Sequence, residues 1–244
     1  MLRVGVVGCK GKLGKEIIER ISEYDGLELR RAITSLGSKY KGEKVRIGND
    51  PTYDVMVEDD LMLCSDCDVL IDATTQKAFI EINYEKYASL KKPLIIATTG
   101  FNEYEMRKIY DLGEKIPVIQ EANYSIELMF FVRALREYMK GNRCIDVSIF
   151  EAHHKQKKDK PSGIALYIRS EIEKVAPELE VEILSIRAGA IYGEHCVRIA
   201  NLCGEEISFT HKVSSRKAFC DGILSIVPIL ETKKNGFYRM EDIL

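Results

Sequence analysis

The 244-residue sequence has no large excess of either charge and no long apolar run. Its 36 Lys and Arg residues nearly balance 38 Asp and Glu residues, for a formal net charge of -2, so no broadly basic surface points to nucleic acid. No apolar stretch approaches the roughly 20 residues of a membrane-spanning helix, and the first residues form no signal-peptide pattern. We therefore expect a cytoplasmic protein with no nucleic-acid partner and no membrane partner.

The cysteines indicate neither a disulfide framework nor a metal site. There are seven, an odd number, scattered along the chain, which is typical of buried thiols in a reducing compartment. Cys64 and Cys67 have C-x-x-C spacing, but no second pair or histidine lies at a zinc-binding distance from them. We predict a structural role for this pair and no metal in the protein. Metal or redox chemistry is the alternative for the pair.

The first residues predict a dinucleotide-binding loop. Leu2–Val7 is a short apolar, β-branched run typical of a buried parallel strand. Gly8, Gly11 and Gly14 follow at three-residue intervals, a variant of G-x-G-x-x-G, and a helix pattern comes next. Such a loop brings a pyrophosphate to the N–H groups of the helix start. An ordinary glycine-rich turn is the alternative. The residues assigned to the cofactor here are Gly8, Lys10, Gly11, Lys12 and Leu13.

The second predicted strand, Leu27–Ile33, ends without the acidic residue that usually binds the ribose 2′-hydroxyl of NAD. Thr34 and Ser35 stand there instead, with Lys39 and Arg31 nearby. Hydroxyl groups and cations accept a 2′-phosphate better than a carboxylate would, so we predict NADPH, or the use of both NADPH and NADH. A polar loop whose cations face water is the alternative.

Three later strands end in small or hydroxylated residues. The runs 68–75 and 93–101 each reach a pair of threonines, and the run 117–122 is followed by Asn-Tyr-Ser. Ligands of a doubly wound sheet lie across the carboxyl ends of its strands, so we expect the threonine-rich ends to line the nicotinamide half of the cofactor. Ordinary strand-to-helix turns with Thr or Ser caps are the alternative. The residues assigned to the cofactor are Thr74, Thr98, Thr99, Gly100, Ala122, Asn123 and Tyr124.

The sequence patterns divide the chain into two regions. Strands and helices alternate up to about residue 123, whereas the next region carries several strand patterns with one helix between them. We predict an α/β protein with an N-terminal Rossmann dinucleotide-binding domain, residues 1–123, and a second α+β substrate-binding and oligomerisation domain, residues 124–216. A long helix over 125–140 bridges the domains, and residues 217–244 pack back on the first. Because an open sheet can pair across subunits, we expect a homo-oligomer.

Residues 151–163 carry the most chemical information. They gather two of the four histidines, four lysines and a Pro-Ser-Gly helix start between a predicted strand, 145–150, and a predicted helix, 164–175. Cations and a helix N-terminus suit a small dianion, and an imidazole can deliver a proton near neutral pH. A solvated cationic loop is the alternative. We expect Lys155, Lys158 and Lys160 to be solvated, or at most to steer the ligand.

Several blocks together resemble the 4-hydroxy-tetrahydrodipicolinate (dihydrodipicolinate) reductase family. The blocks are Gly8–Gly14, Ala97–Phe101, Ala122–Ser125, Glu151–Gly163, Arg187–Gly189, Gly193–His195 and Thr210–Arg216. The resemblance runs nearly end to end. It implies NADPH- or NADH-dependent reduction of a small dicarboxylate, 4-hydroxy-tetrahydrodipicolinate, to tetrahydrodipicolinate with loss of water, in diaminopimelate and lysine biosynthesis. It also implies a homotetramer.

The resemblance assigns roles within residues 151–163 and beyond. His153 is the acid and Lys157 the second catalytic residue, and a lysine ammonium also stabilises a bound carboxylate. Arg216, in a matching block, is assigned to the cofactor. The residues assigned to the substrate are His154, Lys157, Ser162, Gly163 and Ile164.

Two departures from the family pattern keep alternatives open. Ile164 stands where the family usually has Thr, and Glu127 puts an acid near the edge of the site. A non-catalytic nicotinamide-binding sensor on the same fold would be expected to lose the acid and the lysine, and both are present. A related amino-acid semialdehyde dehydrogenase would need a nucleophilic cysteine, and none lies in residues 153–163.

Overall fold

The computed structural model describes residues 1–48, 50–140 and 146–244. These residues form two compact units, one of residues 1–124 with 219–244 and one of residues 125–218. The C-terminal segment after residue 218 therefore belongs to the first unit. Ile145, with which we expected a strand to begin, lies outside the described residues.

The first unit contains an eight-stranded sheet. Its strands are β1 (Leu2–Val7), β2 (Leu27–Ile33), β3 (Lys44–Ile47), β4 (Asp50–Glu58), β5 (Val69–Asp72), β6 (Leu94–Ile96), β7 (Pro117–Gln120) and β12 (Gly236–Tyr238). In the order β12-β7-β6-β5-β1-β2-β4-β3, neighbours run parallel except for the antiparallel pair β3 and β4. The chain builds outward from β1 to β2 on one side and from β5 to β7 on the other. Ligands of open α/β sheets bind at such a switch point.

Five strands of this sheet confirm predicted apolar runs: β1, β2, β5, β6 and β7. Each is short and largely buried, as a parallel strand covered by helices on both faces must be. Strands β3, β4 and β12 were not predicted. Strands β3 and β12 have four and three residues, mostly exposed or half-buried, and the sequence of β4 is interrupted by polar residues, so none has a continuous apolar run.

The helices of the first unit return the chain between parallel strands. They are α1 (Lys12–Arg20), α2 (Gln76–Ala78), a π-helical segment (Phe79–Asn83), α3 (Tyr84–Leu90), α4 (Glu103–Gly113) and α7 (Lys217–Glu231). Phe79 and Tyr87 are fully buried and pack with Ile109 and Leu112 of α4 against the sheet. Among the described residues, no helix is both long enough and apolar enough to cross a membrane.

The second unit is a four-stranded sheet with helices on one face. Its elements are α5 (Ile126–Lys140), β8 (Asp146–His153), α6 (Gly163–Val175), β9 (Val181–Arg187), β10 (Gly193–Ala200) and β11 (Glu206–Val213). The strand order is β11-β10-β8-β9; β8 and β9 are parallel and the other neighbours antiparallel. Leu128 and Val132 of α5 pack with Ile168 of α6 over Ile149 and Val197 of the sheet. Helix α5 lies wholly within this unit, so the expectation that it bridges the two domains is wrong.

Three histidines are buried in the second unit. His153, His195 and His211 are 6%, 0% and 7% exposed. The ring centroids of His153 and His195 are 5.2 Å apart, and those of His195 and His211 are 6.1 Å apart. Burial lowers the pKa of all three, and for His195 burial together with the charges of His153 and His211 lowers the pKa to about 3. At neutral pH His195 is therefore an uncharged core residue.

We predict that this row of histidines makes the fold acid-sensitive. Because the pKa of His195 is about 3 in the folded state and 6.5 without burial, the unfolded chain takes up the proton first as the pH falls. The free energy of unfolding should fall below pH 6.5, by about 2 kcal/mol at pH 5 from this group alone. Urea unfolding at pH 7.5 and 5.0 should show a smaller loss for His195→Phe than for the wild type. Equal losses in both proteins would contradict the prediction, and His154→Gln is the matched control.

Candidate active site

The glycine loop of the first unit has two positions at which no side chain fits. Gly8 has a φ of +87°, and a Cβ on it would lie 2.4 Å from the carbonyl oxygen of Ala73. A Cβ on Gly14 would lie 2.3 Å from the Gly8 carbonyl oxygen, so α1 packs directly on the loop. Gly11 is the N-cap of α1. The first N–H groups of a helix have no acceptor within it, and with the helix dipole they suit a pyrophosphate. The loop therefore fits the predicted dinucleotide.

Two lysines, Lys10 of the glycine loop and Lys39 of the loop beyond β2, lie against one aromatic ring. The ammonium groups of Lys10 and Lys39 each lie 5.2 Å from the centroid of the Tyr40 ring. Lys10 also pairs with Glu43 at 2.7 Å. Two cations at the end of β2 suit a phosphate on the ribose better than a free hydroxyl. Of the other assigned residues in the glycine loop, Lys12 is exposed and Leu13 half-buried.

Thr34 and Ser35 stand at the end of β2, as the sequence required. Thr34 is half-buried and donates to the Ser38 hydroxyl at 3.2 Å, whereas Ser35 is exposed. Arg31 does not join them. Its Nη2 and Nε donate to the carboxylate of Asp66 at 2.7 and 3.0 Å, which commits the guanidinium elsewhere and removes Arg31 from the predicted set.

The threonine-rich ends of β5 and β6 converge on one carboxylate. Asp72, the last residue of β5, accepts hydrogen bonds from Thr98 Oγ1 at 2.6 Å and from Thr74 Oγ1 at 2.9 Å. Thr99 and Gly100 follow on the exposed side of the same turn, where Gly100 has a φ of +89°. The two strand ends thus form one hydroxyl-lined edge beside the switch point of the sheet.

The end of β7 contributes differently. Tyr124 is buried, and its hydroxyl donates to a carbonyl oxygen of β6 at 2.9 Å, so its side chain braces the sheet. Ala122 is exposed and Asn123 half-buried at the same turn. Arg216 lies in the second unit, where its exposed guanidinium is 5.9 Å from the ring centroid of Tyr192.

The second unit builds its site on alternate residues of β8. Glu151 and His153 point to the same face of the sheet because side chains alternate along a strand. His153 Nδ1 lies 2.5 Å from Glu151 Oε2. Arg187 donates to both oxygens of Glu151, at 2.9 Å from Nη1 and 2.8 Å from Nη2, and the backbone N–H of Ser162 reaches Oε1 at 3.3 Å. One buried carboxylate therefore holds the imidazole, the guanidinium and the start of α6.

The charges of this cluster follow from its contacts. Burial alone would raise the pKa of Glu151, but hydrogen bonds from Arg187, Ser185 and His153 outweigh burial and lower the pKa to about 2. Glu151 is thus ionised and accepts a hydrogen bond from the Nδ1–H group of His153. Burial lowers the pKa of His153, and the hydrogen bond and charge of Glu151 oppose that effect.

His153 has one nitrogen left for chemistry. A Cβ on Gly193 would lie 3.2 Å from His153 Nε2, so the absence of a side chain there leaves this nitrogen room. With Nδ1 held by Glu151, Nε2 is the atom that can carry a proton to or from a ligand.

The cationic loop is anchored at its base and open at its tip. Lys157 is half-buried and pairs with Asp159 at 2.8 Å. Arg187 Nη2 also donates to the Asp159 carbonyl oxygen at 2.6 Å, which joins the loop to Glu151. The side chains that point to solvent are those of Lys155, Lys158 and Lys160. Lys157 is therefore the lysine that the fold positions.

The start of α6 offers backbone donors. Ser162 is buried, and its hydroxyl accepts from the Ala165 N–H at 3.2 Å and faces His195 Nε2 at 3.3 Å, so the hydroxyl is already used. Gly163 and Ile164 precede Ala165 and carry the first N–H groups of the helix, which have no acceptor within it. The Ile164 side chain packs on the apolar core of the unit. We infer that a carboxylate here would bind the backbone, so the Thr-to-Ile departure affects core packing.

The sequence missed three members of this cluster as functional residues: Glu151, Arg187 and His195. The spacing of Glu151 and His153 on one strand was the available signal, since period-two alternation puts both on one face. Arg187 pairs with His153 in the register of β8 and β9, which no local pattern reveals. His154 Nδ1 is buried and has no hydrogen-bond partner among the described residues, in keeping with a ligand contact.

Glu127 has a modest electrostatic role. It is exposed in the first turn of α5, and its charge raises the pKa of His211 against the larger lowering by burial. Its position therefore bears on the buried histidine row.

Both halves of the chain match known proteins of one family. Two family models described as dihydrodipicolinate reductase, N-terminus and C-terminus, match residues 2–124 and 126–244. A 4-hydroxy-tetrahydrodipicolinate reductase of Pseudoalteromonas translucida (strain TAC 125) is 30% identical over 262 aligned residues, covering 99% of this chain and 97% of that protein.

Solved structures share the fold. A dipicolinate-bound dihydrodipicolinate reductase from Paenisporosarcina sp. TG-14 superposes with a TM-score of 0.80 at 21% identity, over 100% of both chains. A probable dehydrogenase from Thermotoga maritima gives a TM-score of 0.65 at 12% identity, over 99% of this chain and 92% of that one. The resemblance noted in the sequence is confirmed: with both halves matched by the models of one family and a relative 30% identical along nearly its whole length, the chain belongs to the dihydrodipicolinate reductase family.

Proposed function

We propose that this protein reduces 4-hydroxy-tetrahydrodipicolinate to tetrahydrodipicolinate in lysine and diaminopimelate biosynthesis. The reaction consumes one hydride from NADPH or NADH and one proton, and releases water. The observation that carries the proposal is the environment of His153, whose Nδ1 is held by an ionised glutamate while Nε2 is left open. The relative from Paenisporosarcina is bound to dipicolinate, a dicarboxylate, which supports this substrate class.

The cofactor, when bound, supplies a hydride. Gly8, Gly11 and the N-terminus of α1 would hold its pyrophosphate, and the edge formed by Thr74 and Thr98 would face its nicotinamide half. The assigned roles of Thr99, Gly100, Ala122, Asn123 and Arg216 are part of the same proposal.

The proton comes from the protein. Hydride addition to a conjugated imine leaves negative charge that must be neutralised, and His153 Nε2 would donate the proton. The ionised Glu151 stabilises the imidazolium that makes this donation. Glu151 therefore partly offsets the cost that burial imposes on a charged His153.

The substrate carboxylates meet fixed donors. The open N–H groups of Gly163 and Ile164 and the positive end of the α6 dipole would bind one carboxylate. Lys157, held by Asp159, would place an ammonium group against the anionic substrate, and His154 Nδ1 would supply a further polar contact.

The alternatives are less well supported. A sensor that only binds nucleotide would have no need of the Glu151–His153–Arg187 cluster. A semialdehyde dehydrogenase needs a thiolate, but burial raises the pKa of Cys9 to about 11 and that of Cys220 to about 12. Among the described cysteines, Cys64 and Cys67 are also fully buried, whereas Cys196 is half-buried and Cys203 exposed, and neither of these two lies in residues 151–163.

We further propose a preference for NADPH over NADH. Lys10 and Lys39 beside Tyr40 support this preference, because two cations near the end of β2 favour the extra phosphate of NADPH.

We place the activity in the cytoplasm, where nicotinamide cofactors are supplied and thiols stay reduced. Fractionation of the producing cells tests this placement.

We predict substrate-dependent oxidation of NADPH and, more weakly, of NADH. His153→Ala and Lys157→Ala should each lower kcat/KM by about 10²–10⁴-fold, because proton delivery and charge stabilisation are lost. Lys155→Ala, an exposed lysine of the same loop, should stay within about twofold of the wild type. Absorbance at 340 nm follows the reaction. A wild type that binds cofactor without turnover would refute the enzyme and favour the sensor, whereas full rates in both variants would refute only the residue assignment.

We predict that Glu151→Gln shifts the pH profile of the reaction. The carboxylate favours the imidazolium form, so its removal lowers the pKa of His153 and moves the alkaline limb of kcat/KM to lower pH. A shift of about one pH unit would reduce the rate on that limb about tenfold.

The control for this variant is Glu194→Gln. Glu194 lies on β10 but points to the opposite face from His195, and it pairs with Lys212. An unchanged pH profile in a folded Glu151→Gln protein would show that Glu151 does not set the ionisation of His153.

We propose that the open face of the second sheet joins copies of the chain into a homotetramer. The helices α5 and α6 cover the other face. On the open face Leu184 and Ile186 of β9 are 41% and 53% exposed. Leu184 pairs in register with the half-buried Phe150 of β8, which pairs in turn with the half-buried Cys196 of β10. Contiguous apolar surface of this kind marks an association site.

Sedimentation velocity tests the assembly. The wild type should sediment as a tetramer. The double variant Leu184→Asp/Ile186→Asp should sediment as smaller species, because burying charged side chains in the apolar centre of an interface weakens association. Tyr104→Asp, an exposed residue of α4 in the first unit, is the control. A monomeric wild type would overturn the proposal.

A further inference from the structure

A buried carboxylate in the first unit has no role in the reaction proposed above. Asp72 is the last residue of β5, and its side chain is 0% exposed. Its carboxylate accepts from Tyr87 Oη at 2.5 Å, from Thr98 Oγ1 at 2.6 Å, and from the hydroxyl and backbone N–H of Thr74 at 2.9 and 3.1 Å. Within the described part of the chain, no Lys, Arg or His forms an ion pair with it. Its neighbours are hydrogen-bond donors without formal charge.

These contacts point to an ionised Asp72. Burial raises the pKa of Asp72 above its ordinary value, and the hydrogen bonds from Thr98, Tyr87 and Thr74 offset only part of that rise. The geometry favours the carboxylate, because three hydroxyl groups and one backbone N–H converge on its two oxygens. A neutral acid would have to donate its proton to one of these hydroxyls, yet Tyr87 is itself fully buried and finds its acceptor in Asp72. The carboxylate form satisfies all three hydroxyl groups at once.

The direction of these hydrogen bonds decides what the threonines can offer a ligand. A hydroxyl has one proton and two lone pairs. Thr98 gives its proton to Asp72, so its oxygen is left as a hydrogen-bond acceptor. Thr98 is 5% exposed and follows directly after β6, at the carboxyl edge of the sheet where a dinucleotide binds. The nicotinamide carboxamide carries an NH₂ group, which is a donor of matching type.

The charge has a second consequence. The nicotinamide ring is neutral in the reduced cofactor and positive in the oxidised one. An anion without a cationic partner, enclosed in a weakly polarisable interior, acts on a nearby positive charge more strongly than it would in water. It would favour the oxidised ring, and with it the positive charge that develops as hydride departs.

We propose that Asp72 is a positioning residue for the nicotinamide end of the cofactor: it fixes the Thr98 hydroxyl as an acceptor for the carboxamide, and its negative charge favours the oxidised ring over the reduced one. This inference rests on the cofactor of the proposed function but not on the identity of the substrate.

Binding measurements on the full chain test the proposal without turnover. Isothermal titration calorimetry would give dissociation constants for NADH, NAD⁺ and ADP-ribose, which lacks the nicotinamide. Asp72→Asn should weaken NAD⁺ about tenfold and NADH about threefold, and leave ADP-ribose within about twofold, since a partner lost at one end of a ligand changes affinity by amounts of this order. Tyr84→Phe, a hydroxyl bonded to the Lys108 carbonyl oxygen, is the matched control and should match the wild type for all three ligands.

Variants of Thr98 distinguish the role of the hydroxyl acceptor from the role of the Asp72 charge. Thr98→Val should weaken NADH and NAD⁺ equally, because it removes the acceptor but not the charge, and Thr98→Ser should restore both. Equal loss of ADP-ribose in Asp72→Asn or Thr98→Val would reveal a merely structural role and overturn the proposal. An unchanged NAD⁺ to NADH ratio in Asp72→Asn would overturn the role of the charge.

Two further outcomes can be told apart. If circular dichroism shows that Asp72→Asn does not fold, the comparison of Thr98→Val with Thr98→Ser still decides the acceptor role, and wild-type binding of NADH by Thr98→Val overturns it. If the wild type binds these nucleotides as expected but does not reduce the dicarboxylate, the proposed function fails while this inference stands.

Discussion

The second unit depends on one buried carboxylate. Glu151 can keep a charge without solvent because Arg187 binds both of its oxygens. The same two oxygens receive His153 and the backbone of Ser162, so the acid and the helix start take their positions from a single group. Asp72 meets the same constraint in the first unit with hydroxyl donors and no cation. A guanidinium compensates the buried carboxylate of Glu151, whereas only hydroxyl and N–H groups surround that of Asp72.

Local sequence determines much of the first unit. A β-branched run, spaced glycines and a helix pattern predict β1, the loop and α1, because each depends on neighbouring residues alone. Strand β12 escaped prediction because it is held by pairing with the distant β7 rather than by an apolar run of its own, and β3 and β4 escaped it because they are stabilised mainly by pairing with each other. The position of α5 within the second unit also depends on tertiary contacts, because its apolar face packs on α6. A periodic sequence pattern predicts such a face but not which element will cover it.

The candidate site divides in the same way. His153, Lys157 and the Ser162–Gly163 helix start were named from one contiguous segment. Arg187 was not named as a site residue, since it reaches Glu151 only through the pairing of β8 with β9. The hydroxyl of Ser162 looked like a ligand contact in the sequence, but in the fold it caps α6 and faces His195. The type of a residue indicates which chemistry it can perform, and tertiary contacts determine which atoms of its side chain remain free for a ligand.

The alternation of β8 ties two properties of the second unit to one register. Glu151 and His153 face the helices, whereas the alternate residues Phe150 and Ala152 face the open side of the sheet. A slip or insertion of one residue would carry the acid to the open side and bring Phe150 to the place of the carboxylate. The site and the open surface therefore lie on the two sides of one strand: a substitution on one side leaves the other in place, whereas an insertion or deletion in β8 disturbs both.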